Sequence, residues 1–598
     1  MCGIFLSSTK ISKKNLNVII SRLSERGPDD IKIRNSEKGS YVFTRLAITG
    51  RDASSMQPLQ EISFSKKFFL FNGEIYNYKV LSKIFKIKKK NFSDTVVLQN
   101  LIKKFDFLAA VKKINGMFAI SYVTNNFKNV HLARDMFGQK PLYYRIYNNN
   151  WYVSSDPYCI ALTTKIDLNK RYFKSFIYSN EEFGTKGLLC SNGTFFKDIK
   201  SVPSNYYIKL GKKKILKIKQ INKENKIYPK TKSTNIKVTA LKLKSIIEKT
   251  VKNYCGNHKD VAFTYSGGID STILLLASLK LKRKFTYYTK IAEYIDSIAK
   301  RSIRNLKLLN IKKYFRVKIK LSNYYSDLID FISYSGSAPR WGTAPSLTPL
   351  YKLMHQHNKK ICIGGDGADE LFFGYPNNDK IVKEFNLNKR FSNINYTKFV
   401  KNFTNSGWVN KAENKLKFYI NELKKYENNF LKTYNNDFNA LLFSRYIDLK
   451  FFFSNVVTPH SDLCSMKNSI ELRSPFLDKD IVNFSFNELG KDSVLNSPKF
   501  ENKLILKEII KEQCKELKIK DKIFISKEKH GTRNFAIQSA KQIKTKNLPM
   551  VIRKIFKNEL NTKYSDKTKY KIISLAIFYM IFFEKKNKKQ IMTSLKIS

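Results

Sequence analysis

The feature that most constrains the fold of this chain is a glycine turn between a buried strand and an apolar helix. Val261-Ala-Phe-Thr-Tyr265 has the composition of a short buried strand, Ser266-Gly-Gly-Ile-Asp-Ser271 contains a tight turn, and the run up to Leu279 begins an apolar helix. Backbone amides at such a helix start can bind phosphate, so this order is typical of nucleotide-binding α/β units. A side chain in place of either glycine would obstruct the phosphates. The sequence therefore predicts a nucleotide-binding α/β domain that includes residues 261–279.

The first 205 residues show a different pattern, in which short apolar runs alternate with turn signals. Such runs predict strands, and they begin at Tyr41, Phe68, Phe118, Val130 and Trp151. Helical stretches are predicted between them near residues 15–23 and 95–104. Because 598 residues with 42% hydrophobic content can bury more than one core, two to four domains are predicted, the first of them rich in β-sheet.

The N-terminus opens with Met1, Cys2 and Gly3. Removal of Met1 would leave a cysteine that carries its own free amine. With a pKa of about 7.7 to 8.0, that amine can act as the base for the thiol and later protonate a leaving group such as ammonia. This arrangement predicts a nucleophile that needs no histidine partner.

The segments that follow Cys2 resemble the class II glutaminase domain of asparagine synthetases, whose nucleophile is N-terminal. They stand in that family's order and spacing: Arg26-Gly-Pro-Asp29, Arg45-Leu-Ala-Ile48, Gln57-Pro58, Asn72-Gly-Glu-Ile-Tyr-Asn77, Ser93-Asp-Thr95, Asn115-Gly-Met-Phe-Ala119, Ala133-Arg-Asp135 and Gly138-Gln-Lys-Pro-Leu-Tyr-Tyr144.

The resemblance implies a role for each residue of a glutamine pocket. Asn72 and Gly73 would supply the oxyanion hole, Arg45 would bind the α-carboxylate of glutamine, and Glu74 and Asp94 would hold its α-ammonium group. The backbone of four residues would line the same pocket: Leu46, Ala47, Ile48 and Thr49. Singly, these residues have ordinary explanations, such as a hairpin turn at Asn72 or a surface charge at Arg45. Their joint occurrence with Cys2 favours a glutaminase.

Two further segments resemble the ATP-pyrophosphatase domain of the same synthetases. The turn at 266–271 matches the SGGxDS loop, and Ile363-Gly-Gly-Asp-Gly-Ala-Asp-Glu-Leu-Phe-Phe-Gly-Tyr375 is similar to SGEGxDE-x-x-x-GY. Asp270 and Asp369 would hold Mg²⁺ that bridges to pyrophosphate, since a carboxylate by itself repels phosphate. The resemblance assigns ATP binding to the following residues: Thr264, Tyr265, Ser266, Gly267, Gly268, Asp270, Ser271, Tyr288, Gly364 and Gly365.

Later segments agree with the family in part. Lys503 begins a segment similar to K-x-x-LR, whose lysine is thought to stabilise the charged transition state, and Asp366 stands near the point of amine attack, where the family often has glutamate. Segments 462–466 and 470–478 resemble DR-x-SM and E-x-R-x-PFLD. Other positions depart from the family: Gly364 replaces a serine, Leu463 an arginine, Lys527 an arginine and Thr532 a phenylalanine, and the segment 335–342 is unusual. These departures leave open the identity of the carboxylate that accepts the amine.

The resemblance covers nearly the whole chain and implies its fold class. An α+β domain with the αββα sandwich of N-terminal-nucleophile hydrolases would precede an α/β PP-loop ATP-pyrophosphatase domain with a mostly helical C-terminal part. The expected boundaries are 2–205 for the glutaminase domain, 206–235 for a linker with edge strands, 236–585 for the synthetase domain and 586–598 for a basic tail.

The resemblance also implies glutamine, ATP and a carboxylate acceptor as substrates, with ATP and Mg²⁺ as cofactors. ATP would adenylate the acceptor, and ammonia would reach it through an internal passage. Aspartate is the leading acceptor, which would give asparagine, glutamate, AMP and pyrophosphate. A uronic acid or other sugar carboxylate of surface polysaccharide biosynthesis is the alternative. A non-catalytic basic protein that retains the fold is a third reading, against which the intact Cys2, Asn72, Asp270 and Asp369 argue.

The formal charge of +63 raises nucleic-acid binding as a hypothesis. Lysine is spread along nearly the whole chain, however, so no specific nucleic-acid partner is predicted, only weak and salt-sensitive association with polyanions. No run reaches the roughly 18 apolar residues of a membrane span, and the N-terminus lacks the apolar core of a signal peptide. A cytoplasmic chain is therefore expected, and a homodimer is left open.

Overall fold

The computed structural model describes the chain outside the following residues: 50–54, 60–66, 88–92, 178–191, 223–234, 260, 294–295, 340–341, 376–377, 379–380, 382–440, 443, 446–447, 491–492, 497–498, 526–533, 558–559, 561–565 and 598. The predicted Lys527 and Thr532 positions, and part of the unusual segment 335–342, thus lie outside the described residues.

Two antiparallel sheets form the centre of the N-terminal part. Their strand orders are β2-β3-β1-β8-β7-β9 and β11-β10-β6-β5-β4. The bounds are β1 Cys2–Ser7, β2 Asp30–Ser36, β3 Gly39–Arg45, β4 Phe68–Ile75, β5 Gly116–Thr124, β6 Asn129–Arg134, β7 Tyr143–Tyr147, β8 Asn150–Ser154, β9 Lys200–Ser201, β10 Tyr206–Gly211 and β11 Ile215–Gln220.

Strand β1 shows why the two sheets stack. Because side chains alternate along a strand, Ile4 and Leu6 enter the core between the sheets, whereas Phe5 packs outwards with Ile19 and Leu23 of a helix. Helices therefore cover the outer faces, and the layers run helix, sheet, sheet, helix. The helices are α1 Lys13–Ser24, α2 Tyr78–Ile84, α3 Asp94–Lys104, α4 Phe107–Lys113, α5 Pro157–Thr163 and α6 Lys170–Ile177.

The predicted linker at 206–235 divides into two parts. Its first residues are the strands β10 and β11, of which β10 pairs with β6 and β11 with β10 at the edge of the second sheet. The chain as far as Gln220 therefore belongs to the second N-terminal sheet and not to a linker. The backbone of β10 makes the hydrogen bonds that β6 would otherwise leave open at the edge of that sheet.

A parallel sheet of order β14-β13-β12-β15-β16 forms the centre of the second part. Strand β12 is central, and the chain extends the sheet first on one side of it and then on the other. In such sheets, ligands bind beyond the carboxyl ends of the strands at the point where this direction changes. The strands are β12 Val261–Thr264, β13 Thr286–Ala292, β14 Tyr314–Ile319, β15 Ile361–Ile363 and β16 Glu471–Arg473, and β17 Leu495–Asn496 pairs separately with β18 Lys499–Phe500.

Helices pack on both faces of this sheet and form the C-terminal part. They are α7 Ile236–Cys255, α8 Ile269–Leu279, α9 Asp296–Leu308, α10 Tyr324–Ser335, α11 Thr343–Gln356, α12 Ala368–Leu371, α13 Thr458–Met466, α14 Lys479–Asn487, α15 Leu504–Glu516, α16 Asn534–Gln542, α17 Met550–Ile555, α18 Asp566–Phe582 and α19 Lys588–Leu595. A π-helix, Asp448–Val457, precedes α13.

The last two helices include one correction. The apolar run 572–583, predicted as a buried helix, forms most of α18. Residues 586–598 were expected to be a basic tail, but α19 lies there with Ile591 and Leu595 fully buried. These two side chains are four residues apart and share one helix face, so α19 is amphipathic. The lysines on its other faces led to the prediction of a basic tail. Across the described residues, no helix is both long enough and apolar enough to cross a membrane.

Candidate active site

Cys2 lies at the start of β1, opposite Arg45 of β3. The backbone N–H of Cys2 donates to Oδ1 of Asn72 at 3.0 Å, and the Met1 amine donates to the Leu46 carbonyl at 3.0 Å. Burial raises the pKa of the Cys2 thiol, although the nearby N-terminal charge and a hydrogen bond from the Leu46 backbone act in the opposite direction. A buried thiol of this kind needs a base at hand to become nucleophilic.

The predicted oxyanion residues adjoin Cys2 at β4. Within the part of the chain that the structure describes, the buried Nδ2 of Asn72 has no hydrogen-bond partner. A β-carbon at Gly73 would overlap the carbonyl oxygen of Met117 on β5, so only glycine fits there. The arrangement leaves an amide donor beside the thiol without an internal acceptor, as an oxyanion hole requires.

A cavity of about 30 Å³ lies in front of Cys2. Asn72 is not part of its lining. Seven of the nine predicted glutamine-binding residues line it together with Cys2: Arg45, Leu46, Ile48, Thr49, Gly73, Glu74 and Asp94. Ala47 is outside this lining, and its backbone N–H donates instead to Asp29 at 2.6 Å. Arg45 is buried, with Nη1 at 3.3 Å from the half-exposed Asp30.

The carboxyl groups of Glu74 and Asp94 enter this cavity from β4 and α3. Thr49 donates to Glu74 at 3.1 Å, and the backbone of Thr95 donates to Asp94 at 2.7 Å. Burial raises the pKa of both carboxyls, and the charge of Asp94 raises that of Glu74 further. The pocket therefore concentrates negative charge that a bound cation would stabilise.

The second domain also contributes to this pocket, which the sequence did not predict. Glu471 of β16 lines the cavity, with its carboxylate 3.7 Å from the Met1 amine, and Nη2 of Arg473 lies 3.3 Å from Glu74. Leu472, between them, faces the opposite way into a second cavity. The E-x-R spacing on a strand was the available signal, because residues two apart share a face.

The second cavity, of about 340 Å³, lies at the carboxyl ends of β12, β13 and β15. It contains eight of the ten predicted ATP residues: Thr264, Tyr265, Ser266, Asp270, Ser271, Tyr288, Gly364 and Gly365. Gly267 and Gly268 form the turn but are not part of its lining. Gly267 has φ +74°, a conformation that favours glycine, and Gly268 caps α8.

Asp270 and Asp369 converge on the amino group of Lys503. Its Nζ lies 2.5 Å and 2.6 Å from the two oxygens of Asp270, and 2.7 Å from Oδ1 of Asp369. Burial works against the charge on Lys503, but the two carboxylates outweigh burial and raise its pKa. Residues separated by 99 and 134 positions in the sequence thus meet at one point, as the resemblance implied.

The place where Asp270 and Asp369 meet suits a divalent cation. No cluster of three or more potential metal ligands occurs among the described residues. Mg²⁺, however, is commonly bound by one or two carboxylates together with substrate phosphates and water. Asp270 and Asp369 already surround a cationic nitrogen beside the glycine turn, so their oxygens fit such an ion.

Asp366 lines the same cavity without an ion-pair partner among the described residues. Burial raises its pKa, a hydrogen bond with Ser461 opposes that rise, and the charges of Asp270 and Asp369 add to it. Five other polar lining residues were given no role in the sequence analysis: Lys290, Tyr351, Glu370, Tyr375 and Ser461.

A buried ion cluster joins the two parts of the chain. Asp462 lies 2.8 Å from Nη2 of Arg26 and 3.1 Å from Nζ of Lys140, and these two cations lower its pKa against the effect of burial. Leu463, the predicted departure, is buried beside a different, smaller cavity and not in the 340 Å³ one. Its replacement of arginine therefore does not alter that cavity directly.

Known families account for both pockets. Residues 1–220 match the model of the glutamine amidotransferase domain, and residues 242–571 match the model of asparagine synthase. Apart from Glu471, the residues that line the cysteine pocket fall in the first match, and those that line the glycine-turn cavity fall in the second. The chain is thus a glutamine-dependent amidotransferase, a carbon–nitrogen ligase with two sites and an ATP-using domain. It belongs to the asparagine synthase family.

Individual relatives are similar at modest identity. Glutamine-hydrolysing asparagine synthetase 1 of Bacillus subtilis is 24% identical over 537 residues, which cover 80% of each chain. Asparagine synthetase 3 of the same organism is 22% identical over 530 residues, 81% of each chain. The Gallus gallus asparagine synthetase is 30% identical over 149 residues, 24% of this chain and 26% of that one.

Proposed function

We propose that this enzyme releases ammonia from glutamine at Cys2 and transfers it to aspartate, activated as an acyl-adenylate, to form asparagine. The observation that carries the proposal is the position of the two pockets on either side of the short strand β16. Glu471 faces the cysteine pocket, and Leu472 faces the 340 Å³ cavity. A passage for ammonia beside this strand would be short, and the names of the relatives support aspartate as the acceptor.

In the first reaction, the Cys2 thiolate attacks the carboxamide carbon of glutamine. Nδ2 of Asn72 and the backbone N–H of Gly73 stabilise the oxyanion, and collapse of the intermediate releases ammonia and leaves a thioester that water hydrolyses to glutamate. Arg45 binds the α-carboxylate, and Glu74 and Asp94 bind the α-ammonium group. The pocket is too small for glutamine as it stands, so its walls must move when glutamine binds.

In the second reaction, the acceptor carboxylate attacks the α-phosphate of ATP and pyrophosphate leaves. The glycine turn binds phosphates, Lys503 provides positive charge, and Asp366 lies where the amine attack takes place. Mg²⁺, held by Asp270 and Asp369, would neutralise charge on the leaving pyrophosphate. Ammonia then attacks the acyl-adenylate and releases AMP.

A uronic acid is the second candidate acceptor. Gly364 and Asp366 both line the cavity, and each is smaller than the residue that the family usually has there. The extra room favours a larger acceptor. ATP–pyrophosphate exchange with aspartate and with a panel of uronic acids tests the choice: exchange with aspartate alone is expected, and exchange with uronic acids alone would reject aspartate.

The amine of Cys2 is expected to be indispensable. Protein that retains Met1, verified by intact mass, should hydrolyse glutamine at least about a hundredfold more slowly than processed protein, because an amide nitrogen cannot act as a base. In the Met1-retaining chain, that nitrogen is already committed as a donor to Asn72. Full glutaminase activity in the retained form would disprove the amine as base.

Glutamine binding is expected to weaken as the pH falls. Burial raises the pKa of Glu74 to about 8 and that of Asp94 to about 6, so these carboxyls take up protons well above the ordinary range near pH 4. A protonated carboxyl is neutral and no longer attracts the ammonium group of glutamine. The KM for glutamine should rise several-fold between about pH 8 and pH 6. Asp94→Asn should raise the KM at pH 8 and flatten this dependence. An unchanged pH profile in Asp94→Asn would contradict the assignment.

A further inference from the structure

Lys290 is a cation in the wall of the 340 Å³ cavity that none of the reaction steps uses. It lies on β13, two residues after Tyr288, so the two side chains share a face of the strand. Its Nζ lies 3.4 Å from the hydroxyl of Ser346 on α11, a weak contact. Within the described residues, no carboxylate lies within ion-pair distance of it.

In the part of the chain that the structure describes, no carboxylate compensates the charge of Lys290. Burial lowers its pKa to about 8, and the Cys464 thiol opposes this shift only in part. The four carboxyl groups that line the cavity have other partners: Asp270 and Asp369 hold Lys503, Asp366 bonds with Ser461, and Glu370 accepts a hydrogen bond from Tyr375. Since a buried charge without a partner is destabilising, an anion bound beside Lys290 would be favoured.

The phosphates of ATP are not the best match for this position. The glycine turn and Lys503 already provide amides and positive charge for them at the start of α8. The neighbours of Lys290 belong instead to α11 and α13, through Ser346 and Cys464. Helix α13 also carries Ser461, the partner of Asp366. Lys290 therefore lies in the same wall of the cavity as Asp366, the residue assigned to the point of amine attack on the acceptor.

We propose that Lys290 binds a second anionic group of the acceptor, separate from the carboxylate that is amidated, and so selects acceptors that carry two negative charges. This inference rests on the proposed function, because it concerns the acceptor of the adenylation step. It favours an amino dicarboxylate over a simple uronic acid, which has a single carboxylate.

The test compares acceptors that differ by one carboxylate. With ammonium chloride as nitrogen donor, pyrophosphate release is measured for aspartate, for 3-aminopropanoate, which lacks the α-carboxylate, and for glucuronate. The wild-type enzyme should favour aspartate over the other two. Lys290→Met should raise the KM for aspartate by about tenfold to hundredfold, the range for a hydrogen bond to a charged group, and leave the KM for ATP within about twofold.

Two further variants keep the test informative. Lys290→Arg keeps the charge and should recover part of the preference for aspartate. Lys318→Met, on the neighbouring strand β14 and exposed outside the cavity, is the matched control and should behave as wild type. Thermal melts of all the variants identify any loss of folding, which would lower the apparent kcat with every acceptor and would not raise the KM for aspartate alone.

The outcomes separate the inference from the proposed function. An unchanged KM for aspartate in Lys290→Met, a change confined to the KM for ATP, or equal use of 3-aminopropanoate and aspartate by the wild type would overturn the role of Lys290 and leave adenylation standing. If the wild type releases pyrophosphate with none of the acceptors, both the role of Lys290 and the proposed adenylation are overturned.

Discussion

Replacement of Cys2 by alanine is expected to abolish glutamine-dependent amide formation and to leave ammonium-dependent amide formation at the wild-type rate. The nucleophile is lost, so glutamine hydrolysis should fall by more than about 10⁴-fold, the scale seen when a covalent catalyst is removed. The second cavity is lined by other residues and lies beyond β16, so adenylation of the acceptor is unaffected.

Both nitrogen sources are measured in the same preparation. Cys2→Ser is the matched control, because it keeps a small polar side chain but lacks a thiol, and it should resemble the alanine variant closely. Glutamine-dependent product from Cys2→Ala would mean that another residue is the nucleophile. Loss of the ammonium-dependent reaction as well would mean that the two sites are not separate.

The second large effect is expected for Asp270→Asn and Asp369→Asn. Each should lower pyrophosphate release by at least about a hundredfold, since neutralising charge on the leaving group is worth several kcal/mol in the transition state. Basal glutamine hydrolysis should persist. The fold should survive each change, because Lys503 bonds to both carboxylates and keeps one partner when the other becomes an amide.

Pyrophosphate release with acceptor present and a thermal melt are the paired readouts. Glu508→Gln provides a control on α15, where the carboxylate pairs with Lys511 away from the cavity. Near-parent rates in folded Asp270→Asn and Asp369→Asn proteins would show that these loops do not form the ATP site.

Much of the fold could be predicted because the informative residues are local. The strand, turn and helix around Gly267 follow from neighbouring residues, and the predicted strands at Phe68 and Phe118 pair as β4 and β5. The segment 586–598 was predicted wrongly as a tail because of its four lysines, although the spacing of Ile591 and Leu595, which are both fully buried, places them on one helix face. Charge counts do not reveal which helix face is buried.

Those residues of the site that belong to a local sequence motif could be predicted. Those that reach the site from distant segments of the chain could not. Glu471 enters the glutamine pocket from a strand more than 400 residues after Cys2, and the E-x-R spacing places Glu471 and Arg473 on one face without indicating which pocket that face meets. Lys290 was missed for another reason: the sequence does not distinguish it from the other 110 lysines and arginines. Its two informative properties are its position in the cavity wall and the absence, among the described residues, of a carboxylate within ion-pair distance. Both properties arise from packing.

The transfer of nitrogen within one chain is the central claim, and an isotope experiment tests it most directly. The wild-type enzyme is incubated with glutamine labelled with ¹⁵N in its amide group, ATP, Mg²⁺ and aspartate, in the presence of excess unlabelled ammonium at a pH where little ammonia is free. We expect labelled amide in asparagine, formed in equal amount with AMP, with little dilution by the unlabelled pool. Labelled ammonium without labelled amide, or amide formed without AMP, would contradict it.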